Sequence, residues 1–309
     1  MRAGGGLNVA DVFSVDLFGN STSVVSGINA DLFCLKSRAV SGNHLWFDKD
    51  RGVNQVISSN LTDAESTLAN SLTAFNPDGY DVGSAVSTDN VGWSFKKAPK
   101  FFDVVAYTGD DIAGREIPHS LGVQAGLAII KETSGAANWY VQHTNLGGTK
   151  FLNLDLTASA VTSSSPWNDT AMTDSNVTLG NSNSVNQLND EYIMYVFADD
   201  TSPEGIIQCG EYVGNGSSTG PIIDLGWKPQ YIMIKNATQV SGAAHWVIFD
   251  TTRGIVVGND PTLKANSDAA EFTGADFLEL TATGFQLKIN DVQVNTSGET
   301  YIYMAIREE

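Results

Sequence analysis

The residues of this chain best suited to chemistry are four histidines and a recurring Asp-x-x-Arg-Gly sequence. His44 and His245 flank a Trp-bearing segment, His143 ends its counterpart, and His119 stands apart. Asp48 and Asp250 follow within a few residues, so a His–carboxylate pair for proton transfer or a metal is the first chemistry to consider. The local pattern favours a different role. Asp48-Lys-Asp-Arg-Gly52 and Asp250-Thr-Thr-Arg-Gly254 each read as a strand end closed by an Asp-nucleated turn, with the Asp and Arg paired across it. The second copy, His143-Thr-Asn-Leu-Gly147, drops both charges. A turn survives that loss and a catalytic pair does not, so these residues are expected to give local order, and no catalytic residue is assigned.

Acidic loops at Gly109-Asp-Asp111 and Asn76-Pro-Asp-Gly-Tyr-Asp81 lack the alternating oxygen ligands of an EF-hand loop. No nucleophile elbow, phosphate loop or dinucleotide fingerprint occurs. No metal and no cofactor is expected. Carboxylates for glycoside cleavage need only meet in space, but three degenerate copies argue against one composite site. The remaining candidates for ligand binding are Trp167, in the Ser/Thr-rich stretch Ser163–Asp169, and Trp227, in Leu225-Gly-Trp-Lys-Pro229. A loop Trp can stack on a sugar face or anchor a protein contact. Against that, Trp is highly buried on average, and each could cap the core of its own unit.

The elements that would position these residues come in three copies. Each has a strand ending in a Gly turn, then an apolar run ending in a basic residue, then a Trp-bearing strand. The runs are Asp31-Leu-Phe-Cys-Leu-Lys36, Leu127-Ala-Ile-Ile-Lys131 and Tyr231-Ile-Met-Ile-Lys235. The turn glycines Gly19, Gly109 and Gly214 lie 90 and 105 residues apart; Gly52, Gly147 and Gly254 lie 95 and 107 apart. That period exceeds a solenoid repeat and suits a small domain. Three domains are expected, 1–98, 99–200 and 201–309, joined at Lys96–Lys100 and Asp199–Gly205. The short continuous runs read as strands buried on both faces. Gly-Asp and Gly-Asn after the first strands are expected to supply the positive φ of a tight turn. Gln286–Val294 reads as a hairpin with its turn at Asn290-Asp291. Thr62–Leu72, despite a Thr62…Glu65 capping pattern, is expected to be an irregular crossing segment. The fold class expected is all-β: three tandem antiparallel β-sandwich or jelly-roll-like domains.

Composition sets outer bounds. The chain has 309 residues, 42% hydrophobic, enough for a packed core. Net charge is −18, from 17 basic and 35 acidic residues, which argues against a nucleic-acid partner. No apolar run approaches a membrane span, so no membrane insertion is expected. Met1-Arg-Ala-Gly-Gly-Gly6 shows no apolar signal region, and no anchor is expected before Asp11. Cys34 and Cys209 occupy different places in the repeat and read as free, buried thiols.

Trp93-Ser-Phe-Lys-Lys-Ala-Pro-Lys-Phe-Phe-Asp-Val-Val-Ala-Tyr-Thr-Gly109, followed by Arg115-Glu-Ile-Pro-His-Ser-Leu-Gly122 and Ile129-Ile-Lys131, resembles a repeat domain of tailed-bacteriophage virion proteins. It is similar to modules found in tandem in predicted tail-fibre and tail proteins, many from marine phages. The resemblance covers Asp11–Lys97, Phe101–Ala198 and, more weakly, Ile207–Ile306, where Cys209-Gly-Glu-Tyr-Val replaces the usual Val-Val-x-Tyr-Thr. It implies a virion protein made in the host cytoplasm, partnered by other virion proteins, forming a homo-oligomer such as a trimer. It carries over no catalytic residues. Alternatives are an array of carbohydrate-binding modules that recognises a host-surface glycan, a head decoration protein, and, weakest, a polysaccharide depolymerase.

Overall fold

In the computed structural model, which describes residues 6–239, 242–255 and 258–309, the chain is 42% strand and 3% helix, all-β with antiparallel sheets. The expectation of no anchor before Asp11 rests in part on residues 1–5, which lie outside the described residues. The first third of the chain contains β1 (Phe13–Phe18), β2 (Thr22–Val25), β3 (Leu32–Ser37), β4 (Leu45–Asp48), β5 (Gln55–Ser58), β6 (Ser66–Thr67), β7 (Leu72–Asn76), β8 (Gly79–Val82) and β9 (Asn90–Phe95). The second contains β10 (Phe102–Thr108), β11 (Arg115–Pro118), β12 (Ala125–Glu132), β13 (Tyr140–His143), β14 (Lys150–Asn153), β15 (Val161–Thr162), β16 (Asn176–Leu179) and β17 (Glu191–Ala198). The last contains β18 (Ile207–Val213), β19 (Ile222–Asp224), β20 (Pro229–Asn236), β21 (Val247–Asp250), β22 (Leu263–Lys264), β23 (Leu278–Leu280), β24 (Gly284–Leu287) and β25 (Thr300–Arg307).

Each third forms one large sheet and one small one. The large sheets run β1-β9-β3-β4-β5-β6, β10-β17-β12-β13-β14-β15 and β18-β25-β20-β21-β22. The small ones run β2-β8-β7, β11-β16 and β19-β24-β23. The register makes the three units equivalent strand by strand. Phe13 opposes Phe95, Phe102 opposes Phe197 and Ile207 opposes Ile306, while Leu32, Leu127 and Tyr231 oppose Asp48, His143 and Asp250.

The apolar runs show why these sheets exist. β3, β12 and β20 are buried along nearly their whole length. Alternate residues point to opposite faces. Phe33 and Leu35 in the first unit, and Ile232 and Ile234 in the third, pack against their own small sheet. Leu32 and Cys34, Leu127 and Ile129, and Tyr231 and Met233 instead enter one core shared by all three units. Rings cross between units there: Trp46 with Trp139 and Tyr195 at 5.2 and 5.1 Å, Phe95 with Phe197 at 5.4 Å, and Phe13 with Tyr231 at 5.6 Å. Each large sheet is thus covered on one face by its own unit and on the other by its two neighbours.

Two turn expectations need correction. Gly19, Gly109 and Gly214 do not carry the positive φ; it falls two residues on, at Ser21, Asp111 and Gly216. Gly109 and Gly214 are glycine because a Cβ would lie 2.0 Å from the Gln187 carbonyl oxygen and 2.2 Å from that of Thr296. The hairpin over Gln286–Val294 is also absent. β24 ends at Leu287, and Val294 and Asn295 donate their N–H groups to the Asp291 carbonyl in a turn that buries Val294 against the core of the third unit. Alternation of apolar residues was satisfied there by a turn over an existing core, without a second strand. Thr62–Leu72 holds the two-residue β6 and, at Leu72, the first residue of β7, and no helix. Glu65 pairs with Arg51 in place of a capping box.

The second and third units pack tightly at Gly126. A Cβ there would lie 2.6 Å from Cys209 Sγ and 2.9 Å from Asp199 Cβ. Gly126→Ala is therefore expected to destabilise the chain by about 1–3 kcal/mol through overpacking, read as a lower urea midpoint with an unchanged slope. An unchanged midpoint would show that this contact yields without cost.

Candidate functional site

The residues singled out for chemistry lie along the seams between units. β4, β13 and β21 each touch the neighbouring unit at both ends. At their far ends stand Asp48, His143 and Asp250. Asp48 Oδ2 accepts from Arg51 Nε at 2.6 Å and from the Tyr195 hydroxyl of the second unit, also at 2.6 Å. Asp250 Oδ2 accepts from Arg253 Nε at 2.6 Å and from Trp93 Nε1 of the first unit at 3.0 Å. Each Asp also takes the backbone N–H of its Arg through Oδ1 at 2.9 Å, which closes the turn that the sequence suggests. Gly52, Gly147 and Gly254 follow at φ of +94°, +65° and +98°, a conformation that suits glycine. The Asp–Arg pair therefore does two jobs: it builds the turn and it receives a donor from the next unit. In the second unit that double role is lost, and His143 Nε2 meets the Tyr303 carbonyl of the third unit at 3.1 Å.

At the near ends stand His44, Trp139 and Trp246. Trp139 Nε1 donates to the Ser58 and Leu61 carbonyls of the first unit at 3.1 and 3.0 Å. Trp246 Nε1 donates to the Asn153 carbonyl of the second at 2.9 Å. His44 takes the same place against the third unit, its ring buried. Beside these, the Thr133, Ala237 and Arg38 carbonyls accept from Glu65, Ala160 and Glu271 N–H groups at 2.9, 2.9 and 2.8 Å. The contacts repeat in the same sense at each seam, first to second, second to third, third to first.

The third-to-first seam has no peptide link and carries a connected chain of charges. Glu271 binds Arg253 at 3.2 Å and Arg38 at 2.9 Å, and Arg38 reaches Asp89 at 3.4 Å. Arg253 also lies over the Trp93 ring at 5.5 Å.

Sequence reasoning assigned no role to the basic residues that end the apolar runs. Lys36, Lys131 and Lys235 are all fully buried. Each continues the inward-facing alternation of its strand. Lys36 Nζ donates to the Ser37 carbonyl at 2.8 Å and to that of Asp268, in the third unit, at 3.2 Å. Lys235 Nζ donates to the Ala244 carbonyl at 2.6 Å and to that of Thr157, in the second unit, at 2.9 Å. Lys131 Nζ donates to the Glu132 and Gly135 carbonyls. Burial among carbonyls pushes the ammonium of Lys36 and Lys131 down to about 8 and that of Lys235 down to about 7. The signal available in sequence was their identical offset in three runs.

The histidines do not form a site. Four residues of extended chain separate His44 from Asp48, roughly 13 Å at the usual rise, and they serve different seams. Burial holds the His143 imidazole down at about 4. His245 Nδ1 meets Asn266 Oδ1 at 3.2 Å, and the Leu121 N–H donates to His119 Nδ1 at 3.4 Å. Trp167 is fully buried in the shared core, and Trp227 is buried in the core of the third unit, so neither ring presents a face to solvent. Cys34 and Cys209 are free and buried. Among the described residues, no three His, Cys, Asp or Glu side chains gather as a metal site would require. No described helix is long and apolar enough to cross a membrane. A cleft of about 620 Å³ opens between Leu7, Asn8, Glu204 and Arg307, away from all of these residues.

A sheet-based unit repeated three times around a shared core defines an all-β chain. The chain belongs to the DUF7483 family, a domain of unknown function, whose model matches residues 13–309. That single match spans all three units. No curated protein sequence matches the chain. Among solved structures, it is similar to a crystal structure of the STIV MCP at 9% identity, covering 67% of this chain and 95% of that one, with a TM-score of 0.20.

Two outcomes follow from the seam chemistry. Asp250→Ala takes from buried Arg253 the nearer of its two carboxylates and from Trp93 its acceptor, and should cost about 3–5 kcal/mol. Removing Lys228 from its exposed pair with Glu308 should cost less than about 1 kcal/mol. Denaturation midpoints of both variants check the contrast, and equal losses would refute it. The pH dependence has two arms. The folded-state pKa values of the lysines are depressed, so between pH 7 and 9 the unfolded chain holds more protons and stability should rise with pH. His143 is depressed too, so stability should fall as pH drops from 6.5 towards 4. Lys235→Met should flatten the upper arm, and a pH profile that keeps its slope in that variant would count against the lysine assignment.

Proposed function

We propose that this chain is a structural protein of a bacteriophage virion, in its specific form a tail fibre or tail-associated protein acting in assembly or host attachment. The observation that carries the reading is the shared core. Three equivalent β units are locked by cyclically repeated contacts, and the Asp, Arg, His and Lys residues that could do chemistry are buried in those contacts. The reading is non-catalytic: a scaffold presents surface, and its interior charges hold it together. The residue-level resemblance of Trp93–Lys131 to tandem modules of tailed-phage proteins supports the same assignment. A net charge of −18 suits a protein that faces solvent at high local concentration and meets other virion proteins. On this reading the partners are other virion proteins and further copies of the chain, and the location is the particle.

Receptor recognition of a host glycan fits the same architecture only through loops, because both candidate tryptophans are buried. Mass spectrometry of gradient-purified particles should detect the chain at a stoichiometry set by the particle's symmetry, and antibody labelling should mark the tail. Particles that lack the chain would overturn the proposal. Labelling confined to the head would move it from tail to head decoration.

A further inference from the structure

The point where the three units meet contains a cavity of about 20 Å³. It is lined mainly by aromatic and aliphatic groups, but four lining residues carry soft donors: Cys34, His44, Met233 and Met304. They arrive from different elements: β3, the approach to β4, β20 and β25. Met233 and Met304 are direct cross-strand neighbours, which puts their Cβ atoms about 5 Å apart. Cys34 and Met233 occupy the same register position in their units, so both point inward. His44 is 1% exposed, and its Nε2 makes no hydrogen bond.

We propose that this cavity binds one soft monovalent metal ion of the Cu(I) class, through Cys34 Sγ, the Met233 and Met304 thioethers and His44 Nε2. Size permits it, since a space of roughly 10–15 Å³ already accepts a water molecule. Donor type selects it, because thiolate and thioether sulfurs favour Cu(I) over hard or oxygen-seeking ions. Charge agrees as well. Binding replaces the Cys34 S–H bond with an S–metal bond and releases the proton to solvent, so thiolate and monovalent ion together are neutral in an apolar space. A divalent ion would leave one uncompensated charge there, which an apolar interior disfavours. No oxidation or reduction is involved. The competing account is that Met and Cys simply fill an irregular junction as soft apolar groups.

An anaerobic titration of the full chain with Cu(I), against a chromophoric Cu(I) chelator, separates the two. One equivalent per chain should be withheld from the chelator, and Zn(II) should not compete. Cys34→Ser should abolish retention, and Met304→Leu should weaken it on the order of 10–100-fold, comparable to the loss of a supporting group at a metal centre. Cys209→Ala, which removes the thiol outside the cavity, should leave retention unchanged. Thermal melts of each variant confirm that the fold survives. Failure of the wild-type chain to retain Cu(I) would overturn the proposal. So would retention that persists in Cys34→Ser, or retention unaffected in a Met233→Leu/Met304→Leu double variant, which would reduce the site to a packed junction with a reactive thiol.

Discussion

Burial of each large sheet on both faces is the constraint on which this structure depends. β3, β12 and β20 are apolar on both faces, and a small sheet can cover only one. The other face has to be covered by a neighbour that carries the same demand. Three such units packed face to face satisfy one another, and the shared core is the result. The individual units are about as long as a small domain, a size at which a single core gives limited stability. Sharing a second core offsets that limit.

The polar groups of the seams follow from the same constraint. A strand that enters a shared core must end somewhere, and its last inward residue meets backbone carbonyls, in the first and third units including one from a neighbour. Lysine suits that place: a long stem crosses the apolar layer and three donors meet two or more carbonyls. The ammonium groups of Lys36 and Lys235 are satisfied by carbonyls of two units each. Their depressed proton affinity is the cost of that burial. Asp48 and Asp250 solve the complementary problem, offering buried acceptors to Tyr195 and Trp93, and each is neutralised by its own Arg three residues on. The neutral His143 shows that the seam tolerates a weaker solution where β18 already packs tightly at Gly126.

Charge is not spread evenly among the seams. The first-to-second seam has Asp48, Arg51 and Glu65 with the Lys97–Asp103 pair at the linker, and the second-to-third seam has the neutral His143 contact and the Lys235 ammonium on a carbonyl. The seam without a covalent link has Asp250, Arg253, Glu271, Arg38 and Asp89 in sequence. A contact held only by non-covalent forces gains most from specificity, and a directional chain of charges fixes its register.

Much of the fold was legible in the amino-acid order. The apolar runs, the closing strands such as Val91–Phe95 and Tyr301–Ile306, and the Asp-nucleated turns are local properties, set by alternation and turn chemistry within a few residues. The β class and the free state of Cys34 and Cys209 follow from the same local reading. What lay beyond it depended on partners far away in the chain. Gly109 and Gly214 are glycine because a carbonyl some 80 residues later presses against them. Val292 and Val294 alternate like a strand but close a turn over a core already made. Trp167 sits in a sequence that reads as a loop, yet tertiary packing removes it from solvent. The role of Lys36, Lys131 and Lys235 could not be read locally either, since a basic residue after an apolar run ordinarily marks the return to water. By itself the sequence determined which faces of each strand are apolar. Only the tertiary structure decided what covers them, because the covering surface belongs to another unit and its position is set by long-range packing.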